Sequence, residues 1–129
     1  DIQNFAIDGG IYEINTAGAL RRFFSGNVDA AYAGLTPAII PFGTDLQIAS
    51  TVEANPGRFY IADSTNERIV VYGKDLGQTK QFGFLGSYKY RGTDSVSFTG
   101  IKQLVISDDE KSLYVLSNNT VFRISASAI

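Results

Sequence analysis

The chain has 129 residues, 44% hydrophobic and 19% charged, with 11 basic against 13 acidic side chains. That length and balance suit one globular domain with a true core and exclude a disordered segment. A net charge of −2 lacks the basic surplus with which polyanion binders attract their partners, which argues against nucleic acid and anionic membrane.

The absence of cysteine excludes a disulfide framework, a zinc–thiolate site and a thiol nucleophile. The absence of histidine removes the usual general base and the commonest transition-metal ligand. With no methionine and a start at Asp1, a processed chain or an excerpt of a longer one is expected. No secretory h-region or membrane span is found; the nearest candidate, residues 30–43, is short and interrupted by Pro37 and Pro41.

In chain order the signals are those of strands. Short runs rich in Ile, Val, Phe, Tyr and Thr alternate with clusters of Gly, Asn, Asp and Ser, and no window carries a capped apolar stripe of helical period. Gln3–Ile7, Ile11–Asn15 and Leu20–Phe24 read as three strands, with turns at Asp8-Gly9-Gly10 and Thr16-Ala17-Gly18. Ser25–Thr44 reads as a long connection holding a short outer strand or one helical turn around Val28–Tyr32. Leu46–Val52, Arg58–Asp63, Arg68–Tyr72 and Thr79–Phe84 then form a complete four-stranded unit. In Arg68–Tyr72 both alternate sets of side chains have apolar members, the pattern of a strand covered on two faces. A second connection, Leu85–Thr99, precedes Ile101–Ser107, Leu113–Ser117 and Thr120–Ile124, with turns at Asp108–Lys111 and Asn118-Asn119.

The strands recur. Tyr12, Tyr60 and Tyr114, 48 and 54 residues apart, each sit mid-strand ahead of a polar turn and a second β-rich run. A hairpin repeated at roughly 40–50 residues is the signature of a β-propeller, whose blades are small antiparallel sheets around an axis. The predicted fold is therefore all-β: one partial propeller domain over 1–129, with three four-stranded antiparallel blades near 1–44, 45–99 and 100–129 and the last incomplete. Three blades leave a ring open, so the chain is expected to be part of a larger propeller or to be completed by another chain.

Within the second unit, Phe59-Tyr60-Ile61-Ala62-Asp63-Ser64-Thr65-Asn66-Glu67-Arg68-Ile69-Val70-Val71-Tyr72 resembles the core of an NHL-type propeller repeat. The match rests on Asp63, Asn66, Arg68 and Ile69, with Lys74-Asp75-Leu76-Gly77 resembling the following turn. Leu104–Leu116 resembles related repeats in which a D-x-x-K turn precedes a Leu-Tyr-Val strand, but Asn118-Asn119-Thr120 replaces the Asn/Arg pair. The resemblance implies a bacterial-type module that binds protein, or in some members RNA, through its loop faces. It also implies an extracytoplasmic, envelope-associated site. From the residues themselves, Asp63 is suited to accept backbone N–H groups of the Ser64–Glu67 turn, and Asn66 to take up a left-handed conformation. Arg68 is placed to pair with Asp63 across the hairpin, which makes Asp63, Asn66 and Arg68 a structural motif, not a catalytic one.

No catalytic, cofactor or metal site is assigned, and no cofactor is expected. Asp108-Asp109-Glu110 lacks the alternating spacing of a calcium loop and reads as a solvated turn. The run Lys80–Arg91 interleaves aromatics with Lys80, Lys89 and Arg91; Tyr88, Lys89, Tyr90 and Arg91 are its candidate contact surface, for a protein or glycan before RNA. Asn118-Asn119-Thr120 fits the N-glycosylation triplet but falls in a tight turn. The functional expectation is a non-catalytic interaction or scaffold module. Its partner is a protein or other blades of the same parent, with a homodimer as the alternative. The competing classes are a propeller hydrolase whose catalytic residues lie in other blades and an RNA-binding domain of the NHL type.

Overall fold

The computed structural model describes residues 2–8, 10–15, 20–29, 35–36, 43, 46–50, 57–74, 82–90 and 98–126. Among these, twelve strands and two 3-10 turns form three open sheets. No helix among the described residues is long and apolar enough to cross a membrane.

The N-terminal sheet runs in chain order through β1 (Ile2–Asp8), β2 (Gly10–Asn15), β3 (Leu20–Phe24) and β4 (Asn27–Val28), all antiparallel. Ser25 and Gly26 link β3 to β4 with φ of 52° and 80°, the two positive values that a type I′ hairpin turn requires. Val28 thus belongs to a strand, and the alternative of a helical turn around Val28–Tyr32 falls away for that residue; residues 30–34 lie outside those described.

The middle sheet holds β5 (Leu35–Thr36), β6 (Leu46–Ser50), β7 (Arg58–Asp63), β8 (Arg68–Lys74) and β9 (Phe82–Lys89), in the order β5-β9-β8-β7-β6. It has five strands where four were predicted, because β5 adds itself in parallel to β9 through Leu35 opposite Phe82 and Thr36 opposite Gly83. Strand β9 also continues past the end of the expected Thr79–Phe84, of which residues 79–81 lie outside those described. Pairing with all of β8, from Arg68 opposite Lys89 to Lys74 opposite Phe82, carries it through Leu85–Lys89, which local composition marks as connector. A bulge between Val71 and Tyr72 absorbs the extra residue Leu85.

The C-terminal sheet is β10 (Ile101–Ile106), β11 (Ser112–Ser117) and β12 (Thr120–Ser125), with no fourth strand among the described residues. Asn118 and Asn119, at φ 49° and 61°, make a second type I′ turn between β11 and β12. The N- and C-terminal sheets share one irregularity: the first pair of each is bulged, between Ile2 and Asn4 and between Ile101 and Gln103.

The sheets stack in series, and alternation along β7 and β8 shows how. Phe59, Ile61, Val70 and Tyr72 join Tyr12 and Ile14 of β2 in one core, completed by Leu46, Ile48 and Phe82. Tyr60, Ala62, Ile69 and Val71 point the other way, into a second core with Phe98, Ile101, Leu104, Leu113, Val115 and Ala126. Strands β7 and β8 of the middle sheet are therefore covered on both faces, while β9 beyond Phe82 is largely exposed. Strand β6 lies beside β1 on one side and β10 on the other.

The first core is aromatic. Tyr12 meets Phe59 edge-on at 4.5 Å between ring centroids, and Phe59 meets Phe82 at 5.2 Å. Buried among them is Lys74, whose ammonium lies 4.7 Å from the Phe59 ring centroid and 5.2 Å from that of Tyr12 while donating to the Ser50 hydroxyl. The ring faces and hydroxyl replace part of the hydration a buried cation gives up. Replacing Phe59 by alanine removes the ring common to these contacts and is expected to cost about 3–5 kcal/mol. Urea unfolding monitored by tyrosine fluorescence measures it; a loss below about 1 kcal/mol would show that this seam is not tightly packed.

Candidate functional site

Three of the motif residues form one polar node at the end of β7. The Asp63 side chain is fully buried, and its Oδ2 accepts from Arg68 Nε at 3.0 Å, Arg68 Nη2 at 2.9 Å and Asn66 Nδ2 at 2.8 Å. Its other oxygen accepts the backbone N–H of Gly43 at 3.0 Å. Asp63 and Arg68 are also directly opposite in the β7–β8 ladder, so the ion pair spans the mouth of the hairpin.

The turn differs in detail from the sequence expectation. Ser64–Asn66 is a 3-10 turn with no side-chain cap from Asp63, so the carboxylate serves side-chain donors and Gly43 instead of the turn's own amides. The left-handed residue is Glu67, at φ 52°, not Asn66, which leaves the Asn66 amide in position to bond back to Asp63. Gly43 is the contributor that sequence reasoning missed. A Cβ there would lie 2.3 Å from Thr65 Cβ and 2.8 Å from Asp63 Oδ1, so only glycine lets this backbone approach.

Three of the four candidate contact residues are among those described. Tyr88 and Lys89 end β9 instead of lying in a connector. Lys89 is exposed, while Tyr88 and Tyr90 are half-buried and pack on the second core. The Tyr88 hydroxyl donates to the Ala126 carbonyl at 3.1 Å, and Tyr90 lies 6.0 Å from Phe98 between ring centroids. Arg91 lies outside the described residues.

Three other acidic side chains are held locally. Glu13 is paired by Arg21, and Asp29 accepts from Arg22 at 2.7 Å. Asp109 accepts from the Ser107 hydroxyl at 2.6 Å and from the Lys111 backbone N–H at 3.0 Å, which together hold its carboxyl below the ordinary value. Among the described residues no three His, Cys, Asp or Glu side chains gather as a metal site would require. No protein-family model matches the chain, and no curated protein matches it either.

Removing the Asp63 carboxylate takes from Arg68, whose side chain is 16% exposed, the acidic partner it holds across the hairpin. Asp63→Ala is accordingly expected to cost about 3 kcal/mol in urea unfolding, against about 1–2 kcal/mol for a single turn hydrogen bond. Asp63→Asn, which keeps an oxygen for Gly43, is expected to lose less; an equal loss would remove the Gly43 contact from the account. The tyrosines give a second check. Burial raises the Tyr60 and Tyr88 hydroxyls above 10.0 against the opposing pull of Arg58. Their contribution to stability is therefore intact below pH 10.0 and is lost as pH climbs towards the raised folded values. Ultraviolet titration is expected to show that Tyr60→Phe removes one late-ionising tyrosine.

Proposed function

We propose that the chain is a non-catalytic β-propeller interaction and scaffold module whose C-terminal sheet docks a further sheet of the same kind. The observation that carries this reading is the direction in which the three repeat tyrosines point. Each stands mid-strand, opposite a first-strand residue: Tyr12 opposite Ala6, Tyr60 opposite Ala49, Tyr114 opposite Val105. Tyr12 is fully buried against the middle sheet and Tyr60 fully buried against the C-terminal sheet. Tyr114 points the same way along the stack and is 41% exposed, beside Val105 at 51% and Val121 at 66%. A face that is core in the first two sheets is surface in the third, where Tyr114, Val105 and Val121 remain apolar around Arg123, the β12 residue opposite Tyr114.

The side-by-side placing of β1, β6 and β10 supports the propeller form of this proposal, since the first strands of blades line a common axis. The use of Asp63, Asn66 and Arg68 in holding a hairpin supports the NHL-type reading of 59–72 as a blade motif. The confinement of Glu13, Asp29, Asp63 and Asp109 in local contacts supports a binding role over a catalytic one. The occupant of the open face is a blade of the same parent or of a second copy.

Light scattering over a concentration series tests this. Self-association is expected, and Tyr114→Asp combined with Val121→Asp is expected to weaken it at least tenfold while the unfolding midpoint stays within a few degrees. Association that ignores both substitutions would place the docking face elsewhere.

A further inference from the structure

The C-terminal sheet ends differently from the other two. In the N-terminal sheet the third strand, β3, carries β4 on its outer side, and in the middle sheet β8 carries β9. Strand β12 holds the corresponding place, and among the described residues no strand pairs with its outer side. This edge, Thr120–Ser125, has no proline, no bulge against β11 and Arg123 as its single charge. Natural sheets usually guard an exposed edge more heavily than that.

Hairpin register tells which backbone groups the edge offers. The two-residue turn Asn118-Asn119 makes Ser117 and Thr120 a hydrogen-bonded pair, and the ladder alternates from there. Thr120, Phe122 and Ile124 therefore turn N–H and C=O to β11, while Val121 and Arg123 turn theirs outward. The side chains alternate as well. Val121 and Arg123 stand on the Tyr114 face, and Phe122 and Ile124 lie against the second core. Phe122 is only half-buried there, stacked on Phe98 at 6.1 Å and 12°, and Phe98 in turn meets Tyr90 at 6.0 Å. The aromatic chain of this core thus runs out to the open edge and stops at Phe122.

We propose that β12 pairs antiparallel with β12 of a second copy about a two-fold axis through Phe122. An axis normal to the sheet keeps each face on its own side, so only residues of like parity come opposite one another. Few centres are possible. Centred on Arg123, the pairing would oppose two guanidinium groups directly, which is destabilising. Centred on Val121, it would run into the Asn118-Asn119 turn. Centred on Phe122, it sets Val121 opposite the partner's Arg123 on both sides of the axis, and their outward N–H and C=O groups satisfy one another. The two Phe122 rings then meet across the axis, so the aromatic chain of one core continues into the other. The axis joins edges within one sheet and does not extend the stack, so the Tyr114 face stays open and the docking reading stands or falls separately.

Sedimentation velocity on the full chain tests the pairing. Arg123→Pro deletes an N–H that points away from β11, a place where an edge strand tolerates proline, and is expected to weaken the dimer at least tenfold. Arg123→Gln keeps that N–H and is expected to remain dimeric. The chain has no cysteine, so a single introduced one reports the register. Opposed residues of a non-hydrogen-bonded pair have Cα atoms about 4.5 Å apart, within disulfide reach. Oxidised Phe122→Cys is expected to give a covalent dimer, and Val121→Cys is not. Tyr114→Asp disturbs the face and is expected to leave that cross-link unchanged. A chain that stays monomeric, a dimer untouched by Arg123→Pro, or cross-linking in Val121→Cys ahead of Phe122→Cys would overturn the proposal.

Discussion

Everything in this structure depends on the burial of both faces of one hairpin, β7–β8. Four consecutive residues of β7, Phe59 to Ala62, are fully buried, and they alternate between two cores. A strand covered on one side only would need polar residues at every second position. Here the chain has supplied apolar ones at both, so the middle sheet acquires its own stability only when the flanking sheets are in place. Neither flanking sheet has that property. In each of them the side away from the middle sheet carries charged residues, Arg21 on β3 and Arg123 on β12.

That arrangement moves the polar problem to the strand ends. Backbone turns there must bend sharply while side chains nearby are out of water, and the protein solves this with local ion pairs and left-handed residues. Asp63 is the extreme case, a buried carboxylate satisfied by four donors from three residues. Lys74 is the complementary case at the other end of β8, a buried cation placed against two rings and a hydroxyl. Breaking either leaves a desolvated charge, which costs more than any single hydrogen bond the turn contains.

The elements legible in the sequence were those that depend on local pattern. The ladders β2–β3, β7–β8 and β11–β12 fall where alternation and turn residues put them, and the Asp63–Arg68 pairing followed from their places in one hairpin. What sequence concealed was decided by partners distant along the chain. Nothing local marks Leu85–Lys89 as strand, since Gly86 and Ser87 have poor β propensity; the pairing surface of β8 makes it one. Nothing local marks Leu35–Thr36 as a fifth strand. Gly43 lies 20 residues from the carboxylate it serves, so its role was invisible without the fold. Tyr88 and Tyr90 stood out as contact residues because aromatic and basic side chains are concentrated in an expected connector, but an aromatic near a sheet edge is as readily drawn over the neighbouring core.

The stack also has a direction, and direction constrains what can extend it. In the first two sheets the tyrosine faces the next sheet and in the third Tyr114 is exposed, while the residue after it faces the previous sheet in the last two: Ile61 looks back to the first core and Val115 to the second. In the first repeat that backward position is Glu13, only 4% exposed and neutralised by Arg21. The two ends of the stack are therefore chemically unlike, one carrying a shielded carboxylate and the other Val105, Tyr114 and Val121 in the open. A two-fold contact joins a face to its own copy and would set Tyr114 against Tyr114, a pairing no seam within the chain uses. Inside the chain the tyrosine instead meets the first face of a new hairpin sheet, as Tyr12 meets Phe59. On the proposed reading, growth is head to tail, and such heterologous contacts close only when the rotation between sheets divides a full turn.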